Sequence, residues 1–186
     1  MRRLVVLAVA LLALAGVGCG DDPESVKTTA ETEGLYLDIN GLKYQVQMSR
    51  YMNANDVEDS EYLVGLPEGT EPPNKDETWF GVWVRVQNEG EDTLPAATDW
   101  EIVDTQENVF KPIEIDTDIN PFAFETGVDV PPGAILPLSS SAAGQGPIQG
   151  SLLLFKVTNE SLQNRPLELR FSNGDDTTVG TYDLDV

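Results

Sequence analysis

Asn40-Gly41, set between the alternating runs 35–39 and 42–48, constrains the fold more than any other short stretch of the chain. Asn-Gly accommodates two successive positive φ angles, the requirement of a type I′ turn, whose twist matches a two-stranded antiparallel ribbon. A two-residue turn also fixes the register. Ile39 then opposes Leu42, Leu37 opposes Tyr44 and Leu35 opposes Val46, so these six apolar side chains share one face. The other face sets Asp38 against Lys43, opposite charges directly across the pair. A hairpin specified this fully commits the first part of the chain to antiparallel sheet.

The alternation is repeated over residues 79–87, with Phe80, Val82, Val84 and Val86 on the inward side and Trp79, Gly81, Trp83, Arg85 and Gln87 on the other. Further strands are predicted over 99–104, 109–115, 134–138, 151–158, 167–172 and 178–185, separated by turn residues and with no long helical period between them. Leu152, Leu153, Leu154 and Phe155 follow one another, which predicts a central strand covered on both faces. Leu167, Leu169 and Phe171, and then Tyr182, Leu184 and Val186, are the inward sets of the last two strands. About nine short strands in a stretch of single-domain size predict an all-β, two-sheet antiparallel sandwich. Asn55 with Glu58 three residues later predicts a capping box for a short helix over 56–63.

The N-terminus reads differently. Arg2 and Arg3 precede the apolar run 4–17, which is shorter than the roughly 20 residues a bilayer-spanning helix needs. Gly18-Cys19-Gly20 then gives way to Asp21-Asp22-Pro23-Glu24, so hydrophobicity stops where a signal peptidase cuts. The arrangement resembles the lipobox of bacterial lipoproteins, with Gly16 standing where that family prefers Leu. The resemblance implies a signal peptide over 1–18 and lipidation of Cys19, hence a cell-membrane location on the extracytoplasmic side. Residues 19–34 are then the lipidated cysteine and an acidic tether too polar to order itself, and 35–186 the folded domain.

Composition excludes several chemistries. The chain has no histidine, and Cys19 is its one cysteine, so His-ligated metals, a Ser-His-Asp triad and intrachain disulfides are ruled out. Its formal charge is −21; removing 1–18 takes two of the 11 basic residues and none of the 32 acidic ones. Such a surface repels nucleic acid and anionic headgroups, so membrane contact is expected through the lipid alone.

The string Trp79-Phe-Gly-Val-Trp-Val-Arg-Val-Gln-Asn-Glu-Gly-Glu-Asp92, followed by Trp100-Glu-Ile-Val-Asp104 with Phe110, then Pro132-Gly133 and Gly150-Ser-Leu-Leu-Leu-Phe-Lys-Val157, resembles the telokin-like, immunoglobulin-like domain of many bacterial lipoproteins. It departs from that pattern after Asp104, where the family usually has Gly and this chain has Asn108, a residue that tolerates the left-handed conformation. The resemblance implies an immunoglobulin-like sandwich, brings no catalytic residues with it and leaves activity open. From the residues themselves, with no histidine and no folded-domain thiol, no enzymatic activity and no cofactor beyond a candidate Ca²⁺ are expected.

Three features carry candidate binding chemistry. Glu114, Asp116 and Asp118 alternate; on a continuing strand they share one face and offer hard oxygen ligands to Ca²⁺, though Pro121 and Gly127 break any EF-hand reading. Phe122 and Phe124 lie in a proline-stiffened loop over 116–132 and are candidate anchors for a partner protein. The long connection between Met48 and Trp79, with Asp56, Glu58, Asp59, Glu61, Glu68, Glu71, Asp76 and Glu77, is a second candidate surface. The reading these support is a lipid-anchored binding or accessory module of the envelope, its partner another envelope or extracellular protein. The alternatives are a calcium-responsive structural protein and, more distantly, a carboxylate-based hydrolase.

Overall fold

A computed structural model describes residues 27–174 and 178–184. Residues 1–18, read from the sequence as a signal peptide, Cys19 and Val186 lie outside the described residues. Among the described residues the hairpin forms as the turn chemistry requires: Asn40 and Gly41 take φ values of 51° and 84°. Strands β2 (Tyr36–Ile39) and β3 (Leu42–Met52) pair Ile39 with Leu42, Leu37 with Tyr44 and Asp38 with Lys43, and the Lys43 ammonium lies 3.2 Å from Asp38. Leu35 is a correction: it precedes β2 and is 39% exposed, because the ladder ends at the Tyr36–Gln45 pair.

Two packed sheets form the sandwich. The first has the order β10 (Ser151–Thr158), β4 (Glu77–Gln87), β3, β2, with β9 (Ile135–Leu136) on the end of β4. The second runs β1 (Thr29–Ala30), β12 (Gly180–Leu184), β11 (Leu167–Ser172), β6 (Asp99–Val103), β7 (Val109–Phe110). A small ribbon of β5 (Leu94–Pro95) and β8 (Asp129–Val130) closes one end. All pairs are antiparallel except β1 with β12. That parallel pair also corrects the tether boundary: Ala30 is buried, and the Ser49 amide and hydroxyl both donate to the Glu33 carboxylate, so the folded domain begins before residue 35. The predicted strand 109–115 shrinks to β7 plus one bridge from Ile113 to Leu154. Strand β10 is covered on both faces as predicted but lies at the margin of its sheet, its free side met only by bridges from Ile113 and Ala123.

The core between the sheets is aromatic at its centre. Trp100 stacks on Phe171 with centroids 4.6 Å apart, and Tyr44 meets Phe171 at 4.7 Å. Tyr44 Oη accepts the Ala97 amide at 2.8 Å, and the Tyr182 hydroxyl lies 2.7 Å from the carbonyl oxygens of both Leu35 and Tyr44, so the polar ends of these buried rings are satisfied.

At the β6–β7 turn Asp104 organises the backbone. Its Oδ1 accepts the Gln106 and Asn108 amides, both at 2.9 Å, and its Oδ2 accepts Asn108 Nδ2 at 2.8 Å and Asn164 Nδ2 at 3.2 Å. The left-handed residue is Glu107 (φ 63°), not Asn108, which is used instead as a donor. Burial acts to raise the Asp104 pKa, but the bonds from Asn108, Ser161 and Asn164 outweigh it and hold the carboxyl well below its usual range. The native state therefore binds fewer protons here than the unfolded chain. The stabilisation is full above about pH 4, the unfolded value, and is lost as pH falls through the lower folded one. Asp104→Asn, which turns an NH₂ toward donors, is expected to cost about 1–3 kcal/mol at pH 7. In urea titrations the gap from wild type should narrow below pH 4; a pH-independent gap would refute the role of the charge.

Candidate functional site

The sandwich predicts an outward, solvated face for the side of β4 carrying Trp79 and Trp83. Both are instead buried, Trp83 completely. A second apolar layer lies over this face, built on Met52, Tyr62, Trp79, Trp83, Leu152 and Leu154. Gly81 is required here: a Cβ would sit 2.7 Å from the Trp83 ring and 2.8 Å from Met52 Sδ.

A bulge opens the layer to β3. The register with β4 shifts between Val46 and Met48, so Gln47 is the extra residue and the parity of the strand reverses. Before the bulge Leu42, Tyr44 and Val46 face the core; after it Met48, Arg50 and Met52 oppose Trp83, Gly81 and Trp79 and face the outer layer. Met48 is thus 39% exposed there and not part of the inward stripe.

Three chain segments cover that face. The first is helix α1 (Val57–Tyr62), whose N-cap is Asp56 and not Asn55: Asp56 Oδ1 accepts the Glu58 amide at 2.9 Å. Asp59, on its inner side, accepts Arg50 at 2.5 Å on one oxygen and the Asn53 amide at 2.7 Å on the other. Burial pushes its pKa up, but the Arg50 bond, the Asn53 amide and the Arg50 charge prevail and hold the carboxyl below its ordinary value. Arg50 also lies over the Trp83 ring, 5.2 Å from its centroid, a cation–π contact. The second segment is the loop through Asn120, a buried residue that donates to the Tyr62 and Val64 carbonyls and accepts the Phe122 amide. Asn120 thereby sets Phe122 against Tyr62, centroids 4.8 Å apart. The third is the short helix α2 (Ala142–Gln145), capped by Ser141, leading to Pro147 and Ile148.

These segments do not close over the sheet. Between α1 on one side and 142–148 on the other they leave a groove of about 820 Å³, floored by Met48, Arg50 and Phe122. The Phe122 ring bridges the floor: it touches Tyr62 and lies 4.0 Å from where a side chain at Gly146 would sit. Along the α1 wall stand Asp56, Glu58, Asp59 and Glu61, and Arg50 is the one cation among the lining residues.

The residues singled out in the sequence scatter. Phe124 is a correction: it is buried in the core with its ring 5.3 Å from Trp100, and it displays nothing to a partner. Phe122 is half-buried and lines the groove. Glu114, Asp116 and Asp118 do not share a strand face, because Asp116 opens a turn, with its carboxylate accepting the Asp118 amide and its carbonyl the Asn120 amide. Among the described residues no three His, Cys, Asp or Glu side chains come together as a metal-holding group. Sequence reasoning missed Arg50 and Ile148; Phe122 and the acidic connection before Trp79 were the signals that pointed here.

No protein-family model matches the chain, and no curated protein matches it. Among solved structures, the yjhA protein of Bacillus subtilis is similar with a TM-score of 0.50 at 11% identity, over 83% of this chain and 99% of that one. That likeness is one of fold. An uncharacterized β-sandwich protein of Clostridium difficile (TM-score 0.48, 12% identity, 88% of this chain and 100% of that one) and a candidate lipoprotein, ycdA, of Bacillus subtilis (0.49, 15%, 81% and 38%) also align. The class that this chain's own packed sheets define is the two-sheet β-sandwich.

Proposed function

We propose that the chain is a lipid-anchored, extracytoplasmic binding module of the cell envelope, a telokin-like, immunoglobulin-like sandwich without catalytic activity, and that the groove over β3 and β4 is its binding face. The observation that carries this reading is the groove itself. The outer layer buries Trp83 yet stops short of Met48, leaving a depression of about 820 Å³ with an aromatic and thioether floor, within the usual size of ligand-binding clefts. Hydrolysis by paired carboxylates wants one of them held neutral as a proton donor, whereas Arg50 holds Asp59 ionised.

A photo-crosslinking residue placed at Met48 in the membrane-bound protein is expected to form a discrete adduct with an envelope protein. The same residue at Val109, exposed on β7 of the opposite sheet, should not. Equal labelling from both positions, or none from Met48, rejects the groove as the binding face. The anchor is tested separately: Cys19→Ala should abolish labelling by radioactive fatty acid and shift the protein to the soluble fraction, since an acidic N-terminal segment offers no other affinity for a bilayer. Tight membrane retention of that variant would reject the lipid anchor.

A further inference from the structure

We infer that the groove takes an extended, basic segment of a partner protein, with Lys or Arg at alternate positions and an apolar residue between them. This rests on the reading of the groove as the binding face.

Two of the four acidic groups on the α1 wall already have work within the fold. Asp56 caps the helix and Asp59 holds Arg50. Glu58 and Glu61 do not: among the described residues neither pairs with a cation. They are three residues apart on one helix, an arrangement in which like charges repel. Glu61 also stands in the last turn, which carries no basic residue and where the helix dipole favours one. Both carboxylates line the groove, and the single lining cation, Arg50, is already bridged by Asp59. Glu61 therefore stands against the dipole of its own helix, and the wall, with Glu58 and Glu61 unpaired among the described residues, is complementary to positive charge.

Length selects a peptide over a small monocation. From Glu58 to Glu61, the two unpaired carboxylates, the helix rises about 4.5 Å and their Cβ atoms lie about 5–6 Å apart. That is within reach of two flexible basic side chains set about 7 Å apart at alternate positions of an extended peptide. Two basic residues at positions i and i+2 therefore engage both. The residue between them points the other way, toward Pro147 and Ile148 and the Met48–Phe122 floor.

The test uses full-length protein in phosphatidylcholine nanodiscs, with the peptide acetyl-Lys-Leu-Lys-Leu-Lys-amide and its Ser-Leu-Ser-Leu-Ser counterpart. Binding is followed by calorimetry and by the methyl resonances of Met48 and Ile148. The lysine peptide should bind and shift both methyls, and Glu58→Gln/Glu61→Gln should weaken it roughly fivefold. A control pair elsewhere on the surface, Glu91→Gln/Asp92→Asn, should change little. If both double variants weaken binding equally, the attraction belongs to the overall negative charge and the inference falls. If the serine peptide binds as tightly and shifts the same methyls, the groove stands as the binding face and the basic partner does not. If no peptide moves the methyls, the groove reading fails as well.

Discussion

Val84→Asp is expected to unfold the domain at neutral pH, whereas Arg85→Asp, the next residue on β4, leaves it folded. Val84 is at the centre of the inward stripe, completely buried between the sheets and paired with Val46 on β3 and Ser151 on β10. A carboxyl there stands in the apolar stripe of Phe80, Val82 and Val86. Keeping it protonated at pH 7 costs about 4 kcal/mol from the distance to its ordinary pKa. Burying an unpaired polar group adds about 1–3 kcal/mol, and the lost valine burial about 1.5 kcal/mol more. That is comparable with the whole stability of a domain, about 5–15 kcal/mol. Arg85 is half-exposed on the opposite face, beside Ala134 and Ile135, where a shorter charged side chain still reaches water. Because the protonation cost vanishes below about pH 4, Val84→Asp should regain structure on acidification. Circular dichroism melts that coincide for the two variants would overturn the assignment of faces.

The same strand marks the limit of what the sequence discloses. The hairpin was legible because its determinants are local: Asn40-Gly41 fixes the turn, and alternation fixes the face over a few residues. The inward faces of β4, β11 and β12 were legible for the same reason. The burial of Trp79 and Trp83 was not, since the layer covering them comes from 57–62, 113–122 and 142–148, none of which carries a local signal that seats it on β4. The bulge at Gln47 was equally silent. Gln47 is an ordinary polar strand residue, yet by adding one residue it turns Met48 and Arg50 away from the face that carries Leu42, Tyr44 and Val46, and the groove follows from that reversal. Asp116 carries a similar lesson at smaller scale: Glu114, Asp116 and Asp118 alternate in sequence, but Asp116 bends the backbone through its own carboxylate and carbonyl, so period two never becomes a shared face.

Phe122 and Phe124, equivalent in sequence, should separate sharply on truncation. Phe124→Ala is expected to cost about 3–5 kcal/mol, because the ring is buried in the core edge-on to Trp100. Phe122 leans on Tyr62 with one edge and faces the groove with the rest, so its loss removes one aromatic pair, about 0.5–1.5 kcal/mol, and part of its burial. The Asn120 hydrogen bonds that set the loop are made by backbone and amide groups and survive the substitution. Urea titration should therefore place Phe124→Ala near the edge of folding while Phe122→Ala keeps its midpoint within reach of wild type. Ligand capture should reverse the order, with Phe122→Ala losing the lysine peptide's contact with the floor. Were Phe122→Ala to destabilise as much as Phe124→Ala, its ring would belong to the layer that shields Trp83, and the floor of the groove would reduce to Met48 and Arg50, too little apolar surface to seat the residue between two lysines.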